Sequence, residues 1–269
     1  MIYDCFSYLD EDLLLDLRLN ILDKIVDRFV IVEGDKTWQN NPKKLKFDVQ
    51  KFQKFKEKII YIPVTDLPDG EDPYLRENHQ RNSISKGIKD ANEDDIILIS
   101  DLDEIPCPKA IKNFNNKMKY ATFKQKHFYY KFNLQSKNYP YWYGTRICIK
   151  KYLKSPQWLR DLKFKKRPLW RLDKLRLNNI IGDGGWHFCN LKTPEDLLYK
   201  YKNLCETNDP IHFKERIDPK YLQIDEIQKK VISGEDIIGR KDIFEKIELD
   251  YSFPEYLIKN KESYSDWII

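Results

Sequence analysis

Residues 94–106 read DDIILISDLDEIP. Four aliphatic residues, Ile96 to Ile99, lead into Ser100, and three acids follow within four positions: Asp101, Asp103 and Glu104. A short run that is apolar on both faces marks a strand buried between helical layers, as in a parallel sheet. In such sheets ligands gather beyond the carboxyl ends of the strands. The acidic knot therefore falls on a ligand-binding rim. In extended backbone, side chains two apart point the same way, so Asp101 and Asp103 share a side with Leu102 opposite. Two carboxylates so placed repel one another, and either a cation compensates or one acid holds a proton. Arginine, lysine or a divalent ion with hard oxygen ligands, Mn²⁺ or Mg²⁺, meets that need. A plainer reading stays open, in which the acids only begin a loop and cap the helix after Pro106 and Pro108.

The flanking sequence supports a sheet. Residues 2–8 and 28–33 read as strands, and so do residues 58–64. Residues 10–22 read as a helix, with Leu13, Leu14, Leu17 and Ile21 on one face and carboxylates in its first turn. Residues 74–89 also read as a helix. The order through residue 100 is β-α-β-β-α-β, and Glu33 and Asp101 both end strands. Beyond Pro108 the pattern predicts a helix to about residue 118, one strand over 119–133, and its partner over 145–152. In GDGGWHF, 182–188, three of the four positions 182–185 are glycine in a chain with nine, which predicts a sharp loop or a close backbone approach. Thr193 and Pro194 open a capped helix. The fold class expected is α/β: one domain with a mostly parallel, Rossmann-like sheet covered by helices on both faces. Its bounds are 1–215, with a helical C-terminal extension, 216–269, packed on the same domain.

Composition narrows the function classes. The chain has 269 residues, 41% hydrophobic and 14% aromatic, enough to bury a sizeable core. The net charge of +5 is mild and the signs are interspersed, which favours anionic small ligands over nucleic acid. The densest basic run, 163–167, is short. Five widely spaced cysteines without a CxxC pair argue against structural zinc and for a reducing compartment. The N-terminus lacks a signal-peptide pattern, and no apolar run approaches about 18 residues. The expectation is a cytoplasmic chain without a membrane span, with peripheral membrane contact left open and no prediction of oligomeric state.

The segment RENHQRNSISKGIKDANEDDIILISDLDEIP, 76–106, resembles the core signature of family 17 glycosyltransferases, which include the enzyme adding bisecting N-acetylglucosamine to N-glycans. IYDCFSYLDEDLLLDLRLNIL near the start, VDRFVIVEGDKTW at 26–38 and GGWHF at 184–188 match in order. The resemblance runs to about residue 190 and continues weakly into the tail. It implies a GT-A type fold and inverting transfer of a sugar, N-acetylglucosamine in the bisecting enzyme, from a UDP-sugar donor to a saccharide acceptor. It also implies a divalent ion, usually Mn²⁺, held by a DxD motif that falls here on Asp101 and Asp103.

Under that resemblance Asp103 binds the metal directly, and Asp101 meets the ribose or the metal through water. His187 is the candidate additional metal ligand, against plain packing on Trp186. Arg81, Asn82 and Arg76 are candidates for the diphosphate side, with Arg81 alternatively bracing Asp101 or lying on the surface. Glu33 would meet the base or ribose, or simply face a loop. The catalytic base is Asp183 or Glu104, with a slight preference for Asp183. Trp186 would offer the acceptor an apolar face, or pack in the core as tryptophan more commonly does. His79, His127 and His212 receive no role, and Phe128, Tyr129, Tyr130 and Phe132 read as strand core. Three other classes compete. A metal-dependent phosphoesterase or nuclease would use the same acids but favour a larger ligand cluster. A non-enzymatic carbohydrate- or nucleic-acid-binding module would draw on the basic charge and aromatics. A glycoside hydrolase would use paired carboxylates.

Overall fold

The computed structural model describes residues 1–115, 117–163, 179–208 and 217–269. Most of the basic run at 163–167, and His212, lie outside them. Thirteen strands are described: β1 Ile2–Ser7, β2 Arg28–Gly34, β3 Ile59–Val64, β4 Ile96–Asp101, β5 Glu104–Pro106, β6 Tyr120–Phe123, β7 Gln125–Tyr129, β8 Leu134–Ser136, β9 Tyr141–Trp142, β10 Arg146–Ile149, β11 Ile180–Ile181, β12 Gly185–Cys189 and β13 Phe244–Lys246. The α-helices are α1 Asp12–Leu22, α2 Pro73–Asn82, α3 Ile84–Gly87, α4 Pro108–Ile111, α5 Pro156–Asp161, α6 Pro194–Asn203, α7 Ile224–Ser233 and α8 Glu255–Lys259.

The first sheet runs β11-β6-β10-β4-β1-β2-β3. Its centre is parallel, β4 with β1, β1 with β2 and β2 with β3, while β10 runs antiparallel between β4 and β6. The hydrophobic run of β4 is buried on both faces: Leu98 joins one core cluster, Ile97 and Ile99 the other. Leu14, Leu15, Leu17, Leu19 and Leu22 of α1 pack on the first face. Ile84 of α3 and Leu159 of α5 pack on the second. Side-chain caps start several helices: Asp72 accepts from Tyr74 N–H, Ser155 from Trp158 N–H, and Thr193 from Asp196 N–H, each with proline at the next position.

Three expectations need correction. The stretch 119–133 is not one strand. It breaks at Lys124, so that β6 stays in the first sheet while β7 enters a second, mostly antiparallel sheet, β13-β8-β7-β12-β5, with β9 on β7. The helix after Pro108 ends at Ile111. The tail is not purely helical, because β13 adds an edge strand to the second sheet, and Phe253, Leu257 and Tyr264 enter the main core. Phe128, Tyr129, Tyr130 and Phe132 are buried as expected.

Candidate active site

Beyond the carboxyl ends of β1, β2 and β4 lies a cavity of about 370 Å³. Ser7 to Leu9 follow β1 into its wall, Lys36 to Trp38 follow β2, and Asp101 to Glu104 follow β4. His187 and Cys189 of β12, with Lys200 and Tyr201 of α6, close the opposite side. The size suits a small-molecule ligand.

The acidic loop is pinned from beneath by Arg18 of α1, which is fully buried. Its guanidinium donates from Nε and Nη2 to the two Asp4 carboxylate oxygens, at 2.8 and 2.6 Å, and from Nη2 to Ser100 Oγ at 2.6 Å. Nη1 donates to the carbonyls of Asp101, Leu102 and Glu104 at 3.1, 3.0 and 3.0 Å. A planar five-donor fork suits this task, since one rigid group satisfies a carboxylate and a turn of carbonyls together. The sequence carried a signal: Arg18 stands four residues from both Leu14 and Leu22, on the apolar stripe of α1.

A second set of bonds holds the loop from above. The Asp101 carboxylate pairs with Arg81 at 3.2 Å and with Arg160 of α5 at 2.8 Å. Arg160 also donates to Glu104 at 2.7 and 3.2 Å. Glu104 takes the Trp142 indole N–H at 2.7 Å and the Asp101 N–H at 3.1 Å. A Cβ at Gly144 would lie 2.2 Å from the Glu104 carboxyl carbon, so this approach needs glycine. Burial works to raise the Asp101 carboxyl, but the Arg160 and Arg81 charges outweigh it and hold it below the usual range.

The third set faces the cavity. Along β12, Trp186 and Phe188 point into the core while His187 and Cys189 point the other way, with the period of two expected of a strand. His187 Nε2 lies 3.5 Å from Asp103 Oδ1. Among the described residues, Asp103, His187 and Cys189 form the group that fits a metal ion, their ligand atoms lying within 4.8 Å of one another. The His187 residue is 7% exposed, and its Nδ1 has no hydrogen-bond partner among the described residues. An orphaned buried imidazole nitrogen beside a carboxylate and a thiol fits a divalent cation. Burial works to raise Asp103, but the His187 charge beside it outweighs this and holds it below the carboxylate range. Burial lowers His187, and Asp103 more than reverses that, raising it well above the ordinary histidine value. The His127 ring stacks flat on His187 with centroids 4.9 Å apart, and Trp142 lies 5.1 Å from His187. Burial, then the His187 charge, push His127 down to about 3, so the stacked ring is neutral.

The model of glycosyltransferase family 17 matches residues 1–265. The chain belongs to glycosyltransferase family 17. Curated relatives are the beta-1,4-mannosyl-glycoprotein 4-beta-N-acetylglucosaminyltransferases of Homo sapiens and Mus musculus, 30% and 29% identical over 109 residues. Each match covers 36% of this chain and 20% of the relative, so the chain spans about a fifth of the length of the curated relatives it matches. A solved 4-diphosphocytidyl-2C-methyl-D-erythritol synthase is similar at 13% identity and a TM-score of 0.42, covering 74% of this chain and 96% of that one.

In this family 17 chain the structure brings Asp101, Asp103, Glu104 and His187 together at the cavity, with Arg81 behind Asp101. It places the other expected residues elsewhere. Glu33 is buried and takes Lys43 at 2.5 Å, the Lys46 and Phe47 N–H groups at 2.8 and 3.0 Å, and Tyr61 at 2.9 Å. These donors make it a clasp for the segment after β2. Arg76 donates to the carbonyls of Trp38, Pro68 and Gly70 and so shapes two loops. Asn82 accepts the Gln157 N–H at 3.0 Å, joining α2 to α5. Trp186 is in the main core, its indole donating to Ser252 O at 2.9 Å. Asp183, with φ of 45°, precedes the start of β12, four residues before His187 and on the Pro106 side, since Gly185 pairs with Pro106 and His187 with Glu104. By strand rise that is on the order of 10 Å from the cluster. The residues missed are Arg18, Arg160, Trp142, Cys189 and Lys200. Cys189 had a signal, two positions from His187. Arg160 and Trp142 had none, because long-range pairing brings them in.

Proposed function

We propose that this chain transfers a sugar, N-acetylglucosamine, from a UDP-linked donor to a saccharide acceptor, with inversion and with the aid of a divalent cation in a GT-A type arrangement. The observation that carries this is the Asp103–His187–Cys189 cluster facing a cavity at the carboxyl rim of a parallel sheet, in a family 17 chain. Asp103 and His187 would hold the cation, Mn²⁺ by the resemblance, or Mg²⁺. When bound, that ion neutralises charge on a departing diphosphate.

The protein's own groups do the rest. Arg18 beneath, with Arg81 and Arg160 above, fix the Asp101–Glu104 loop so that the cavity need not reorganise when charge develops. The Glu104 carboxylate is already bonded to Arg160, Trp142 and the Asp101 N–H, which favours a bracing role over proton abstraction. Trp142 is 42% exposed and offers a sugar ring an aromatic face beside His187. We assign it the acceptor-platform role first expected of Trp186. All five cysteines are free, which supports a reducing compartment, and we propose the cytoplasm.

The test is UDP release from UDP-N-acetylglucosamine with Mn²⁺, measured with and without a panel of saccharides. The proposal expects metal-dependent release, accelerated by one acceptor class and lost in Asp103→Ala. No UDP from any UDP-sugar with any divalent ion would overturn it.

A further inference from the structure

Five lysine and arginine side chains line the cavity, and four are committed. Lys36 pairs with Asp69 at 2.8 Å and Lys43 with Glu33 at 2.5 Å. Lys192 pairs with Asp10, and with Glu11 at 3.6 Å. Arg240 reaches Glu206 at 3.7 Å. Lys200 differs. Its ammonium donates to one neutral acceptor, Asn190 Oδ1, at 3.0 Å, and among the described residues no carboxylate lies within 4.0 Å of it. Burial works against its charge, and Cys189 first, then the rim acids Asp103, Glu11 and Asp101, more than offset that from further away.

The position is rigid. Leu197 and Tyr201 anchor α6 in a core cluster of the second sheet. Asn190 adopts φ of 59°, a conformation asparagine tolerates, and its Nδ2 donates to Tyr201 Oη at 2.8 Å. That bond leaves Asn190 Oδ1 turned toward Lys200. A cation at the Asp103 cluster would cancel the carboxylate field that now offsets the ammonium. Two positive groups would then face one cavity, which favours an anionic ligand between them.

We propose that Lys200 is a catalytic residue that binds the diphosphate of the donor and takes up its charge as the sugar leaves. This rests on reading the cavity as a nucleotide-sugar site. The step balances simply. The bond from the anomeric carbon to the diphosphate oxygen breaks with its electron pair on that oxygen, a bond from the acceptor hydroxyl oxygen to the anomeric carbon forms, and the hydroxyl proton passes to water. The charge gained by the diphosphate is met by the ammonium, which keeps its proton. A lysine in the last turn of a helix also serves the helix dipole, so the test must separate the two roles.

The experiment is calorimetric titration of inorganic pyrophosphate, UDP and uridine, each with and without Mg²⁺, into wild type, Lys200→Met and Lys200→Arg, with the Tm of each. The inference expects Lys200→Met to bind pyrophosphate and UDP at least about tenfold more weakly, the size of one charge-assisted hydrogen bond. Uridine affinity and Tm should hold, and Lys200→Arg should recover most of the loss. Pyrophosphate and UDP binding within about twofold of wild type would overturn it. So would a lowered Tm with equal losses for all three ligands. Lys200-dependent pyrophosphate binding without UDP binding would sink the UDP-donor reading and uphold this inference. UDP binding indifferent to Lys200 would do the reverse, and a wild type that binds neither overturns both.

Discussion

Replacing Arg18 by methionine removes six hydrogen bonds at once: two to Asp4, one to Ser100 and three to the carbonyls of the acidic loop. Both partners of the Asp4–Arg18 pair have fully buried side chains. The variant therefore strands a carboxylate in the core, which costs about 3–5 kcal/mol. At roughly 2–4 °C per kcal/mol for a chain approaching this size, the melting temperature should fall by roughly 6–20 °C. The double variant Arg18→Met, Asp4→Leu removes the stranded charge and should recover much of that loss. It leaves the carbonyls of residues 101, 102 and 104 without their donor, so UDP affinity should stay low although the fold has recovered. Thermal denaturation and UDP calorimetry on the three proteins check this. A single variant melting within about 2 °C of wild type, under 1 kcal/mol on this scale, would refute the brace. A double variant with restored UDP affinity would show that the loop keeps its shape without it.

Other outcomes follow from the same geometry. Gly144→Ala drives a Cβ into the Glu104 carboxyl group and should abolish Mn²⁺-dependent UDP binding, while Gly182→Ala, with open space around it, should bind as wild type. Trp142→Phe removes the indole donor to a buried carboxylate and should lower stability by about 1.5–3 kcal/mol, read by urea denaturation. His187→Ala should weaken Mn²⁺ binding at least about tenfold by calorimetry. Asp10 is held below the usual carboxylate range, because burial, which alone would raise it, is outweighed by Lys192 and Lys46. Its contribution is therefore present above the unfolded value of about 3.9 and is lost as pH falls through the lower folded value. The Tm gap between wild type and Asp10→Asn should be constant near neutral pH and close below about pH 4.

The central parallel sheet was legible because its evidence is local. The run Ile96–Ile99 is buried on both faces, and the acids after it do stand at the cavity rim. Capped helices such as α6 were legible for the same reason, since Thr193 and Pro194 carry their own start signal. The second sheet was not. It is assembled from short strands far apart in sequence, and nothing near Lys124 announces that β6 and β7 part company there. The site divides along the same line. Asp103 and His187 stood out through motif and glycine context. Glu33 and Arg76 have the composition of ligand-binding groups, but their charge is spent on Lys43 and on backbone carbonyls, which only the three-dimensional structure reveals. Trp186 and Trp142 were hard to read for a related reason: strand alternation turns Trp186 inward, while β9 brings Trp142 to Glu104.

The most direct measurement is calorimetric titration of UDP into the wild type and Asp103→Ala, each with and without Mn²⁺. The account predicts UDP binding that needs the metal in the wild type and is lost in Asp103→Ala. UDP binding of equal strength in Asp103→Ala, or no binding by the wild type of UDP or any other nucleoside diphosphate under any metal condition, would contradict it.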